Sequence, residues 1–161
     1  MKKAFVFDFD DTLATTTARI RVMNNHGLVT NVQPRDFANF KLKQDEWFDF
    51  TEFRDNKLIQ EANPTWLMDL AQEVDEEGHD VYILTAREDN SADAIAGFLS
   101  AFGVHPKTIS CVGGTRESIP KRKHDFLFML IQQYDKIYFY DDSADNIEQA
   151  PNHENFRKYK I

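Results

Sequence analysis

The sequence predicts an α/β chain, a three-layer α/β/α sandwich around a mainly parallel sheet. Short, near-continuously apolar runs recur along it, as in strands buried on both faces. Amphipathic helical patterns fall between those runs. Strands separated by helices connect through crossovers, which makes neighbouring strands parallel.

The elements follow in order. Ala4 to Phe9 reads as a buried first strand. The stretch 14–62 breaks the alternation. Within it, Arg19-Ile20-Arg21-Val22 and Leu28 to Val32 flank Asn24-Asn25-His26-Gly27, a hairpin pattern in which Asn and Gly tolerate a positive φ. Phe37, Phe40, Trp47, Phe48, Phe50 and Phe53 then follow at irregular spacing and read as helical pieces packed on the sandwich. Asn63-Pro64 supplies an N-cap and a first-turn proline for a helix carrying Leu67, Leu70, Ala71 and Val74, with Gly78 as its C-cap. Val81 to Leu84 is the second strand. Ser91 opens a helix with the stripe Ile95, Phe98, Leu99 and Phe102, closed by Gly103. Thr108 to Val112 is the third strand, and a third helix carries Leu127, Leu130, Ile131 and Tyr134. Ile137 to Tyr140 is the fourth strand. A short helix over Ser143–Ala150 is stopped by Pro151, and Asn155 to Lys160 reads as a frayed end, with a nucleic-acid contact as the sharper alternative.

Composition bounds the function. The 161 residues suit one domain with a sizeable core, over 1–161, with 14–62 as a flap and small insertion. A net charge of −8 argues against a surface that coats nucleic acid. The single cysteine, Cys111, excludes an internal disulfide framework and a multi-cysteine zinc site, and reads as an inert core thiol. No run approaches the ~18 apolar residues of a membrane span, and Asp8, Asp10 and Asp11 interrupt the only signal-like start. The expectation is a cytoplasmic protein with no membrane partner.

Chemistry gathers where the strands end. Asp8 and Asp10 close the first strand, Thr85 follows the second, and Asp141-Asp142 follow the fourth. Open α/β sheets bind ligands outside the carboxyl ends of their strands, so these residues are expected to share one crevice. Clustered carboxylates raise one another's pKa unless a counterion is present. An all-oxygen set without His or Cys favours Mg²⁺ over zinc. Lys121 or Lys123, at the start of the third helix, can add positive charge; the apolar helix start after Lys123 favours it.

Asp8-x-Asp10-x-Thr12 after an apolar strand, Thr85, a lysine at 121–123 and Asp141-Asp142 resemble, in order and context, the four motifs of the haloacid dehalogenase superfamily. The resemblance covers nearly the whole chain and implies a Rossmann-like sheet with a phosphatase site on it. It implies Asp8 as the nucleophile that becomes an aspartyl-phosphate, and Asp10 as general acid and then base, with its backbone carbonyl on Mg²⁺. It implies Thr85 as a hydrogen-bonding partner of the phosphoryl group, Lys123 as its cationic neighbour, and Asp142 with Asp141 as metal residues. An aspartate at position 10 marks the phosphatases of that superfamily. Asn146 departs from the pattern, since many relatives carry an aspartate there.

The stretch left after the hairpin looks too short for a full helical cap, which implies an open site with a minimal cap or none. That arrangement is loosely similar to the phosphatase domain of polynucleotide kinase-phosphatases. The implied partners are a nucleic-acid end phosphate, a nucleotide or another small phosphomonoester, with Arg87 as a substrate contact, or equally a salt-bridge partner for a nearby acid. A second copy covering the site is an alternative route to small substrates. Two other classes compete. A receiver-like signalling module needs an acid at the end of a middle strand, and none ends Thr108–Val112. A catalytically idle phosphate-binding protein sits poorly with intact Asp8, Asp10, Thr85 and Asp142. A calcium loop from Asp8 would want Gly at 13 and Glu at 19, where Leu13 and Arg19 stand.

Overall fold

The structure is a computed structural model that describes residues 1–161. The chain runs β1 (Lys3–Phe7), β2 (Ala14–Thr15), β3 (Ile20–Asn24), β4 (Gly27–Val32), β5 (Trp47–Asp49), α1 (Asn56–Gln60), β6 (Asn63–Pro64), α2 (Leu67–Glu76), β7 (Asp80–Thr85), α3 (Ala92–Ala101), β8 (Thr108–Cys111), α4 (Ile119–Ile131), β9 (Lys136–Asp141), α5 (Ala144–Gln149) and β10 (Phe156–Lys160). The main sheet has the order β10-β9-β1-β7-β8 and every pairing in it is parallel.

Strand parity builds the two faces of this sheet, because successive side chains point to opposite sides. On β1, Phe5 and Phe7 enter one core with Val81 and Ile83 of β7 and the apolar faces of α2 and α3. Ala4 and Val6 enter the other core with Tyr82 and Leu84, Ile137 and Phe139 of β9, and Leu127, Leu130 and Ile131 of α4. The central strand is therefore apolar on both sides, which is why it reads as a continuous run. Gly78 and Gly103 close α2 and α3 at φ +84° and +74°, the left-handed conformation a helix C-cap needs.

The hairpin forms as β3 against β4, with Asn24 opposite Gly27. Only Gly27 of its turn has a positive φ, +112°; Asn25 and His26 do not need one. Val22 pairs with Thr30 but Met23 with Leu28, so Val29 is the extra residue of a β-bulge.

Three expectations need correction. Trp47–Asp49 is a strand, not part of a helical piece. It pairs with β3 and makes a three-stranded sheet, whose small core of Ile20, Val22 and Val32 is covered by Phe37, Phe40, Leu42, Phe48 and Phe53. Asn63-Pro64 does not cap a helix. It pairs with Ala14-Thr15, and α2 starts at Leu67. A two-residue bridge has no periodicity to read, whereas Asn-Pro before an apolar stripe mimics a helix start. Phe156–Lys160 is not frayed but forms the parallel edge strand β10, with Phe156 buried beside Phe139. Its three charged residues, Arg157, Lys158 and Lys160, suit an edge strand and hid it from a hydrophobic pattern. No helix is long and apolar enough to cross a membrane.

Candidate active site

The same parity delivers the charged residues. Ala4 and Val6 set the α4 side of β1, and Asp8, the next residue in that alternation, lies just past the strand end. Ile137 and Phe139 do the same on β9, with Asp141 at its last position. On α4, Lys123 stands four residues before Leu127 and seven before Leu130, so it lies on the buried stripe. Three elements thus aim ionisable groups at one point where the hydrophobic pattern would otherwise place leucines.

The contacts are close. The Lys123 ammonium donates to Asp8 Oδ1 at 3.1 Å and to Asp141 Oδ2 at 2.8 Å. Lys123 is 1% exposed and Asp141 fully buried. Asp141 Oδ1 also accepts from the Ser143 backbone N–H at 2.8 Å, and its Oδ2 from the Asn146 amide at 3.1 Å. Asn146 turns its departure from the expected aspartate into a donor. A carboxylate there would face Asp141 and repel it. Lys121, by contrast, is exposed and pairs with Asp125 one turn away.

The loop after β1 wraps a single carbonyl. Thr12, Leu13 and Ala14 all direct their N–H groups to Phe9 O, and Asp11 adopts φ +59° to allow it. An aspartate in that region costs about 1 kcal/mol and is among the residues that tolerate it. The turn brings the Thr12 hydroxyl to 3.3 Å from both Asp8 Oδ2 and Asp142 Oδ1. One hydroxyl has one proton, so Thr12 donates to only one of the two acids at a time.

Asp10 points elsewhere. Arg87 grips it as a fork, Nε to Oδ2 and Nη2 to Oδ1, both at 2.8 Å. The same guanidinium donates to Phe53 O at 3.2 Å and lies 4.7 Å from the centre of the Phe53 ring. Arg87 therefore serves as the salt-bridge partner of Asp10 and ties the 14–62 insertion to the sheet. Thr85 belongs by parity with Val81 and Ile83, away from the lysine face. It is buried, its hydroxyl accepts from the Arg87 N–H at 3.1 Å, and it does not line the cleft described below.

Electrostatics follow from burial. Asp8 is pushed well above the usual carboxylate range, first by desolvation and then by Asp141, with Lys123 pulling the other way. Asp142 is raised too, chiefly by burial. Burial would push Lys123 down, but Asp141 and Asp8 outweigh it and hold the ammonium above the ordinary lysine value. The lysine thus leaves the carboxylates short of positive charge. Oxygens of Asp8, Asp141 and Asp142 lie within 4.8 Å of one another, with no His or Cys among them. That donor set fits a hard divalent cation.

The cluster opens into a cleft of about 610 Å³. One wall comes from the insertion, including Phe37, Phe48 and Phe50, and another from the Gly113–Glu117 loop. Arg116 joins these two walls by donating to Phe37 O and Phe40 O, with its guanidinium 5.2 Å from the Phe48 ring centre. Gly114, at φ +100°, sits so close to Arg122 and Ser118 that an added Cβ would collide at 3.0 and 2.5 Å. Cys111 is half-buried at the end of β8, and burial pushes its thiol up to about 11, well away from thiolate chemistry.

Sequence reasoning missed Thr12 as a bridge, Asn146 as a donor, and the aromatic wall. Thr12 carried a signal, its place four residues after Asp8 in a strand-end turn. The wall carried none, because irregularly spaced phenylalanines read as packing.

No family model matches the sequence, and no curated protein does. Among solved structures, the chain is similar to a phospho-aspartyl intermediate analogue of phosphoserine phosphatase, at 15% identity and a TM-score of 0.51, over 92% of this chain and 83% of that one. It is also similar to a haloacid dehalogenase-like hydrolase from Streptococcus pneumoniae, at 15% identity and a TM-score of 0.49 over 92% and 80% of the two chains. A third is a haloacid dehalogenase-superfamily hydrolase from Ehrlichia chaffeensis, at 13% identity and a TM-score of 0.47 over 99% and 93%. The parallel order of the sheet and the overlap with phosphoserine phosphatase give this chain the α/β fold of that phosphatase.

Proposed function

We propose that the chain is a Mg²⁺-dependent phosphomonoester hydrolase that works through an aspartyl-phosphate. The observation that carries this reading is the buried contact of Lys123 with Asp8 and Asp141, with Asp8, Lys123 and Asp142 lining one cleft. The similar fold of a phospho-aspartyl phosphoserine phosphatase supports it. Asp8, Asp141 and Asp142 would hold the cation with their carboxylates, and Asp10 with its backbone carbonyl. When bound, Mg²⁺ supplies positive charge to the acids and to the phosphoryl oxygens.

This chain's own groups do the rest. Lys123 fixes Asp8 through Oδ1, which leaves Oδ2, near Thr12, to attack phosphorus. The P–O ester bond breaks as the Asp8–phosphorus bond forms, and the leaving oxygen takes a proton from Asp10. Ionised again, Asp10 takes a proton from water as that water's oxygen attacks phosphorus, and Asp8 leaves as a carboxylate. Arg87 occupies one lone pair on each Asp10 oxygen, so Asp10 meets the leaving oxygen through a lone pair the fork leaves free. Lys123 offsets the charge that builds on the phosphoryl group. Thr85, held against the Arg87 backbone, would act by shaping that loop unless it turns toward substrate.

Turnover of 4-nitrophenyl phosphate tests the reading. Activity is expected with millimolar Mg²⁺ and loss is expected on chelation. Activity that survives chelation unchanged would overturn the metal assignment.

The raised acids also set a pH signature. A group whose folded pKa is raised holds its proton in the folded state after the unfolded chain has released it. Asp8 and Asp142 therefore destabilise the metal-free fold progressively as pH rises from their ordinary value of 3.8 through their raised values. Lys123 works in the stabilising direction and keeps its effect until alkaline pH. Asp80, lowered first by its hydrogen bond from Tyr134, adds stability as pH rises and must be subtracted. The difference in urea midpoint with and without Mg²⁺ does this, and it is expected to widen as pH rises above 3.8, the ordinary value of the ligand acids, and they ionise. A difference independent of pH would count against the carboxylate cluster as the cation's site.

A further inference from the structure

The cleft is built for more than a phosphate. Phe37 and Phe48 meet edge to face at 4.9 Å, and both also cover the small core of the insertion. Phe50 is different. It stands outside that core, is 39% exposed, and lines the cleft with its ring edge-on to Phe37 at 5.5 Å and 88°. It also lies 6.0 Å from Phe48. An aromatic ring kept half in water, braced by two others, offers a stacking face with little entropy left to lose on binding.

Charge speaks against a polynucleotide in the same place. The cleft is lined by six acidic and six basic residues, so it carries no net positive charge before any cation binds. Four of the basic residues already have partners: Arg54 with Glu88, Arg87 with Asp10, Arg116 with Glu117, and Lys123 with Asp8. That leaves Arg35 and Lys160, too few for a groove that tracks a phosphodiester backbone. The volume, about 610 Å³, is that of a pocket for one small ligand.

We infer that the cleft selects small phosphomonoesters whose leaving group carries a planar aromatic or heteroaromatic ring, with Phe50, which lines the same cleft as Asp8, as the stacking residue. This deepens the phosphatase reading and rests on it for the orientation of the ligand. The test compares two molecules that share a 5′-phosphorylated ribose and differ by a ring, adenosine 5′-monophosphate and ribose 5-phosphate. A 5′-phosphorylated oligonucleotide is the third arm. The kcat/KM of the mononucleotide is expected to exceed that of ribose 5-phosphate about tenfold or more, the scale of one base–aromatic stack. Phe50→Ala and Phe50→Leu should both bring that ratio toward one, and Phe50→Trp should keep it. Phe50→Leu retains apolar packing, so its loss of selectivity cannot be assigned to unfolding.

Calorimetric binding of both ligands to the Asp8→Asn chain separates this inference from the phosphatase reading. Ring-dependent binding that Phe50→Leu removes, with no phosphate released by the wild type from any substrate, would sustain the subsite and overturn the hydrolase. Equal binding of the two ligands, no binding of either, selectivity that survives Phe50→Leu, or a preference for the oligonucleotide would each overturn the subsite.

Discussion

Asp8→Asn is expected to lower turnover of an aryl phosphate by roughly 10⁴- to 10⁶-fold, the scale seen when a covalent catalyst loses its nucleophile. The substitution changes little else. The amide oxygen can keep the contact now made by Asp8 Oδ1 with Lys123, and the amide NH₂ can donate to the Thr12 hydroxyl in place of Oδ2. It also removes one of three crowded carboxylates, so the metal-free variant should unfold at higher urea than wild type does. Lost activity with gained stability is a pair of results that general damage to the fold does not produce. Equal rates in the two proteins would sink the mechanism. Asp10→Asn should part from Asp8→Asn by still forming a phospho-enzyme from a substrate with a good leaving group. That species would be visible as an 80-dalton adduct by intact mass, and its absence would undo the division of roles.

Lys123→Met is expected to cost about 3–5 kcal/mol of stability, read from urea unfolding without divalent cations, because it strands buried Asp8 and Asp141 without their shared counter-charge. Methionine suits the apolar length of the site, so the loss is electrostatic rather than steric. The double variant Lys123→Met with Asp8→Asn should recover part of it. Turnover should fall as well, since no ammonium remains beside the phosphoryl group. Lys121→Met serves as the control. Its pair with Asp125 is exposed on both sides, and removing it should leave the urea midpoint unchanged. A Lys123→Met protein as stable and as active as wild type would remove the lysine from the site.

The central strands were legible because burial on both faces leaves apolar runs that nothing else in the chain imitates. Their helices were legible through stripes such as Ile95, Phe98 and Leu99 and through Gly78 and Gly103, which only a C-cap explains. The convergence of Asp8 and Asp141 followed from strand ends alone, and the packing stripe of α4 is what brings Lys123 rather than Lys121 to them. Legibility failed where few residues share a structural cause. The bridge of Ala14-Thr15 with Asn63-Pro64 joins positions about fifty apart with two residues each. Phe156–Lys160 mixes Arg and Lys with aromatic residues, a surface pattern that becomes a strand only once β9 offers its edge. The Arg87–Asp10 fork spans 77 residues and needed the β7 loop to be placed before one of its two sequence readings could be chosen.

The site draws its parts from β1 and β9, which pair in register from Lys3 with Lys136 to Phe7 with Tyr140. That pairing closes a loop of well over a hundred residues. It forces the acids of both strands together at the moment the loop closes, so this long-range step is also opposed by like charge. Contacts this far apart in sequence slow folding through chain entropy. Here an electrostatic barrier stands on top of the entropic one. A chain whose middle layer is only half assembled would therefore have strands and helices in place but no carboxylate cluster. The cluster would appear all at once, with the β1–β9 seam.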